Sequence, residues 1–164
     1  MSTEADIEVL RGQEASLVFD RFDEVSAMAL GGQLVGRAEA EGLALVVDIR
    51  FWDRPLFYCA LPGTNADNPH WVRRKAFIVQ RLGKSSYRAL LDNGGDKLLP
   101  AHRGLDPADY ALAGGSFPIR IAGVGIVGAI TVSGLPERHD HALVVDAICD
   151  FLGVARHDHA LPER

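Results

Sequence analysis

Between Asp23 and Glu41 the apolar residues Ala27, Leu30, Leu34 and Ala38 recur every three or four positions, which gathers them into one stripe along an α-helix. Asp23 is a suitable N-cap, and Gly42 a suitable stop just past the end. The period then changes. Leu45, Val47, Ile49 and Phe51 alternate with Val46, Asp48 and Arg50, the two-residue repeat of a strand with one face buried. Pro55–Leu61 resumes the strand character after the turn-like Trp52-Asp53-Arg54, so the two runs make a hairpin. Ahead of them, Thr3 and Asp6 form a variant capping box and Ile7 and Leu10 share a helical face, predicting a short helix over Glu4–Gln13 and an extended piece at Ser16–Phe19.

The second half repeats the alternation. Pro62–Pro69 is rich in turn residues and ends with Asn68 as N-cap and Pro69 at the first helical position. The helix it opens runs to Gly83, with Val72, Ala76, Val79 and Leu82 as its core stripe. A shorter helix restarts at Ser85 or Ser86 and stops at Asn93-Gly94-Gly95, and Asp106-Pro107-Ala108-Asp109 caps a single turn. Phe117–Ala122 and Gly125–Val132 are β-branched runs around Gly123-Val124, a second hairpin. Pro136–Leu152 closes the pattern as a helix with Leu143, Ala147, Ile148 and Leu152 on one side. Hairpins separated by helices predict an α+β fold, an antiparallel sheet with helices packed on it, and not a parallel βαβ arrangement.

Composition narrows the class. At 164 residues, 48% of them hydrophobic, the chain builds one core. We expect a single domain over residues 1–153 and a polar, loosely held tail over 154–164. The net charge of −5 and the single dense basic cluster, Arg73-Arg74-Lys75, argue against nucleic acid as a partner. Small ligands or proteins fit better. Cys59 and Cys149 each sit in an apolar run, and Met1–Glu14 lacks the pattern of a signal peptide, so a reduced, cytoplasmic location is expected. The longest apolar stretch, Ile121–Val132, is too short for a membrane span of about 20 residues.

Several motifs invite chemistry. Gly123–Gly128 spells G-x-G-x-x-G, but it leads into a strand instead of opening a helix, so the glycines are expected to make a hairpin turn and admit a neighbouring backbone. RHDHAL occurs at Arg138–Leu143 and again at Arg156–Leu161, and the copies hold four of the six histidines. His139 and His141 lie about 200° apart around a helix axis, so the pair cannot chelate one ion. No metal site is assigned. Asp140 suits the positive end of a helix. No serine sits in a nucleophile elbow and neither cysteine has a catalytic setting.

The helix beginning at Asn68 carries the strongest candidate site. Trp71, Arg74, Lys75 and Ile78 fall beside its core stripe, where an aromatic and two cations suit an anionic ligand or a subunit contact. Gly114-Gly115-Ser116-Phe117-Pro118 either exposes backbone N–H groups as an anion nest or simply leads into a strand. The candidate ligand-binding set is therefore Asn68, Trp71, Arg74, Lys75, Gly114, Gly115, Ser116, Pro118, Asp140 and His141.

PLFYCALPGTNADNPHWVRRKAFIVQRLGKSSY, GLDPADYALAGGSFPIRIAGVGIVGAITVSGLPERHDHALVVDAICDFLG and DIEVLRGQEASLVFDRFDEVSAMALG together resemble the haem-degrading-domain family related to GlcG and HbpS, in particular its branch of short cytoplasmic proteins. That resemblance implies a profilin-like α/β/α sandwich, a homo-oligomer and a link to haem as cofactor, with no haem ligand assigned. Haem degradation enters as an activity only through it. Three readings stay open: an oligomeric module binding a small, planar, anionic ligand, a haem- or iron-handling protein, and an oligomeric adaptor for protein partners.

Overall fold

A computed structural model describes residues 3–164. Among them five α-helices and four strands follow in the order α1 (Thr3–Ser16), α2 (Glu24–Glu41), β1 (Val46–Phe51), β2 (Arg54–Ala60), α3 (Asn68–Leu82), α4 (Ser86–Asp92), β3 (Ser116–Ile121), β4 (Gly125–Ser133) and α5 (Glu137–Leu152). Local chemistry sets most of these boundaries. The Asp23 side chain accepts from Ser26 N–H at 2.9 Å while Ser26 Oγ accepts from Asp23 N–H, a reciprocal cap that starts α2. Gly42, at φ 65°, ends it. α1 runs on through Ser16, where an extended piece was expected, and Ser16 Oγ donates back to Gly12 O at 2.7 Å. Of the expected extended stretch, Phe19 keeps one strand contact, a bridge to Ile121.

The sheet is antiparallel in the order β2-β1-β4-β3, so the two hairpins lie side by side through β1 and β4. Register decides what faces what. Ile49, Ile130 and Phe117 form one cross-strand row, buried in the main core with Leu30 and Leu34 of α2 and Val144 and Ile148 of α5. One residue along, Asp48, Thr131 and Ser116 form the next row, which the strand repeat turns to the opposite face, towards α3. Ala76 and Val79 of α3 pack there on Ala129. The result is the α/β/α sandwich, with α2 and α5 on one face and α3 on the other. Gly128 shows why the glycine-rich motif belongs to the sheet: a Cβ there would lie 1.9 Å from Arg50 O on the neighbouring strand.

The tail corrects the expectation of a loose end. Leu161 packs on the cluster that holds Leu10, Ile78, Tyr87 and Leu90. Gln13 Nε2 donates to His159 O at 2.6 Å, Arg138 donates to Pro162 O at 2.5 Å, and Arg164 pairs with Asp6. Apart from the Leu161 contact, these are hydrogen bonds and ion pairs of Gln13, Arg138 and Arg164, which hydropathy does not register.

Candidate functional site

α3 divides the candidate residues between the interior and one open cleft. Its buried side is wider than the expected stripe, because Lys75 and Ile78 are buried along with Val72, Ala76 and Val79. Trp71 and Arg74 are left half-buried at its edge. The Arg74 guanidinium stacks over the Trp71 ring, 4.8 Å from its centroid, and Nε donates to Pro107 O at 3.0 Å. Arg73 reaches the same turn through Asp109 and Ala108 O. The Asp106–Asp109 turn is thus moored to α3, and between them lies a cleft of about 320 Å³ walled by Trp71, Arg74, Lys97, Leu98, Pro107 and Tyr110 over a floor of Leu99, Leu105 and Leu112. Among the described residues no acidic side chain lines it.

Lys75 does not join this face. Its Nζ donates to Val132 O and to Asp140 Oδ2, both at 3.1 Å, and both side chains are buried. Burial lowers the Lys75 pKa and raises that of Asp140, with the mutual attraction opposing each shift. Asp140 Oδ1 also accepts from Leu135 N–H at 3.0 Å. The pair joins α3 to α5 from opposite faces of the sheet, and it fits because Gly115 lacks a Cβ, which would sit 2.9 Å from Lys75 Nζ. Asp140 is therefore a buried ion-pair partner and more than a helix-end charge.

Gly114, Gly115 and Ser116 are buried beside that pair, and Ser116 N–H donates to Ser86 Oγ at 3.0 Å. The segment leads into β3, and the Ser116 N–H is spent inside on Ser86. Pro118 pairs with Ala129 on β3, an outer strand where a missing N–H is tolerated. Asn68 is the first residue of α3 instead of its cap, which is Asp67. Its side chain accepts from Asn65 N–H at 2.9 Å and shapes the preceding loop.

His141 is fully buried between Tyr87 and Phe117. Its Nε2 meets Gln13 Oε1 at 2.8 Å, which fixes Nε2 as the donor, and Nδ1 has no partner among the described residues. Burial, with help from nearby Arg138, lowers its pKa to about 3. His139, two residues back, is exposed, as the helical spacing requires. It lines a cavity of about 530 Å³ between α5 and the tail that His159 of the second repeat also lines. Among the described residues no group of three His, Cys, Asp or Glu side chains is placed to hold a metal ion.

Of the ten candidates the structure brings Trp71 and Arg74 to the cleft and gathers Lys75, Gly114, Gly115, Ser116, Asp140 and His141 in the interior. Lys97 and Tyr110 were missed. They belong to a stretch with no periodicity, and its one signal is Leu98-Leu99 set between Gly94-Gly95 and Pro100 in an otherwise polar loop. For haem the fit is poor. Among the described residues no His, Cys or Met lines the cleft, and Tyr110 is the one side chain there of the kinds that usually hold haem iron. The cleft residues do not fit a haem held by imidazole or thiolate.

Fold and cleft define a profilin-like α/β/α sandwich with an aromatic and cationic recess on one helix. The chain belongs to the family described as haem degrading protein HbpS-like, whose model matches residues 22–149. It is 51% identical over 155 residues to the UPF0303 protein mlr5144 of Mesorhizobium japonicum, covering 94% of this chain and 93% of that protein. The crystal structure of Ybr137w protein superposes with a TM-score of 0.82 at 25% identity, over 90% of this chain and 87% of that one. A PduOC:Heme complex shares the fold at a TM-score of 0.63 and 19% identity, over 80% of this chain and 94% of that one. No described helix is long and apolar enough to cross a membrane.

Proposed function

We propose that this protein is a homo-oligomeric binding protein for a small, planar, anionic compound held between Trp71 and Arg74 on one side and the Lys97–Tyr110 wall on the other. One observation carries the reading: in a chain of net charge −5, the cleft presents two cations and two aromatic rings with no carboxylate. Arg74 spends Nε on Pro107 O, which leaves its two terminal nitrogens for a bidentate carboxylate. Trp71 offers a face for stacking. Binding is proposed, and no reaction.

The test is calorimetric titration with 2-naphthoate, with oligomer mass followed in parallel. Trp71→Ala is expected to weaken binding about tenfold by loss of stacking, and Arg74→Lys to weaken it although charge is kept. Unchanged affinity with a dissociated assembly would make this face a subunit interface and end the pocket reading. Self-association draws support from Val25 and Met28 of α2, 71% and 64% exposed on one helix side. Light scattering at micromolar concentration should give a multiple of 17.7 kDa, and a monomer overturns it.

Haem is a second reading, favoured by the family description and by the neighbour crystallised as a haem complex. It is planar and carries acid groups, so the cations suit it, while Tyr110 is the one usual haem ligand its iron would meet among the cleft residues. Titration with haem and with iron-free porphyrin separates the cases. An absorbance shift that needs iron and disappears in Tyr110→Phe supports haem; equal binding of both compounds supports an acid site blind to iron.

A further inference from the structure

We infer that the cleft selects dianions, and that Glu137 sets this preference by competing for Lys97. The inference rests on the binding site proposed above and deepens it. Lys97 is the second cation of the cleft, and its Nζ lies 2.8 Å from Glu137 Oε1 at the start of α5, with the two side chains 64% and 29% exposed. Glu137 itself is absent from the cleft lining. The ligand-free site is thus one fixed cation, Arg74, and one cation on loan to a carboxylate outside.

The two cations differ in what a ligand must do to use them. Arg74 is held by stacking and by Pro107 O, and it accepts a carboxylate without giving up a charged partner. Lys97 is already neutralised by Glu137, so a ligand carboxylate that takes one of its three N–H donors must displace Glu137 or sit against its charge. A monoacid satisfied by Arg74 leaves the Lys97–Glu137 pair intact. A diacid brings a second carboxylate to Lys97 in competition with Glu137, at little cost because Lys97 is itself 64% exposed and ion pairs near the surface are weak. The gain is a second charge-assisted contact on a ligand whose ordering is already complete. Lys75 cannot substitute for Lys97, since Asp140 and Val132 O hold it inside. Leu98, next to Lys97 and 76% exposed, lines the same cleft, so the segment that supplies the second cation also supplies an apolar cover.

Binding of 2-naphthoate and naphthalene-2,6-dicarboxylate to the full chain, compared by calorimetry in the wild type, Lys97→Met and Glu137→Gln, tests this. The diacid is expected to bind the wild type about five times more tightly than the monoacid, and Lys97→Met to erase that difference. Glu137→Gln, which frees Lys97, is expected to raise diacid affinity about threefold and leave the monoacid unchanged. Diacid affinity that is unchanged or lower in Glu137→Gln, or equal gains for both compounds, overturns the inference. If 2-naphthoate binds and loses affinity in Trp71→Ala while the diacid shows no advantage, the site stands and its dianion preference falls. If neither compound binds the wild type at millimolar concentration, both fall. Lys97 and Glu137 are not core residues, so unchanged melting of each variant is the folding control.

Discussion

Arg138 and Arg164 donate to the same oxygen of one buried carboxylate, Asp6 Oδ2. The two arginines close two copies of one tetrapeptide, Leu135–Arg138 and Leu161–Arg164. One copy precedes the first RHDHAL and the other ends the second. What looks along the chain like a chance echo is in space a clamp that joins α1, α5 and the tail.

Removing residues 155–164 takes away Arg164, the His159 carbonyl that receives Gln13 and the Leu161 contact. Loss of these is expected to cost about 2 kcal/mol, or a melting temperature lower by about 5 °C. Asp6→Asn should move it the same way by less. Differential scanning calorimetry reads both, and unchanged melting in the truncated chain would mean the clamp carries no stability.

Lys75 and Asp140 test a different kind of contact. Asp140→Asn strips the buried ammonium of its counter-charge and leaves one amide oxygen for both Lys75 and Leu135 N–H, and is expected to cost about 3–5 kcal/mol. Pairing that change with Lys75→Met removes the stranded charge, and the double variant should recover most of the loss. Urea midpoints for the four combinations decide it; strictly additive losses would show that the two side chains act independently.

His141 predicts an acid-side instability. Its pKa is about 3 in the folded protein against an ordinary 6.5, chiefly from burial, with Arg138 lowering it further and Asp6 opposing. The unfolded chain therefore binds a proton that the folded chain refuses between those values. The associated stability is fully present above pH 6.5 and is lost as pH falls towards 3, by up to about 1.4 kcal/mol per pH unit. His141→Gln keeps a donor for Gln13 and cannot titrate. Its melting temperature should fall less than that of the wild type between pH 6.5 and 5, and parallel profiles would count against the assignment.

Gly128→Ala should be severe. The added methyl would lie 1.9 Å from Arg50 O, a backbone atom of β1, so the β1–β4 pairing has to part. A loss of about 3 kcal/mol or more is expected. Measured by chemical denaturation, a near-neutral result would mean that this close approach does not determine the glycine.

The sequence by itself determined most features whose cause is local. The stripe of α2 between Asp23 and Gly42, the turns at Trp52-Asp53-Arg54 and Gly123-Val124, and the strand character beyond Gly128 follow from spacing and backbone preference among near neighbours. The same holds for Trp71 and Arg74, which stack because they are three residues apart on one helix. Tertiary structure alone decided where Lys75 and Lys97 lie. Lys75 follows Arg74 directly, yet the turn of about 100° per helical residue carries it inside, where Asp140, distant in sequence, waits at the start of α5. Lys97 stands in a loop without period and reaches the cleft only because the 93–112 segment is moored to α3 through Pro107. A side chain's charge is written in the sequence. Whether it is buried with a partner or left open to a ligand depends on which layers meet around it, and that is settled by sheet order and loop anchoring between residues far apart in the chain.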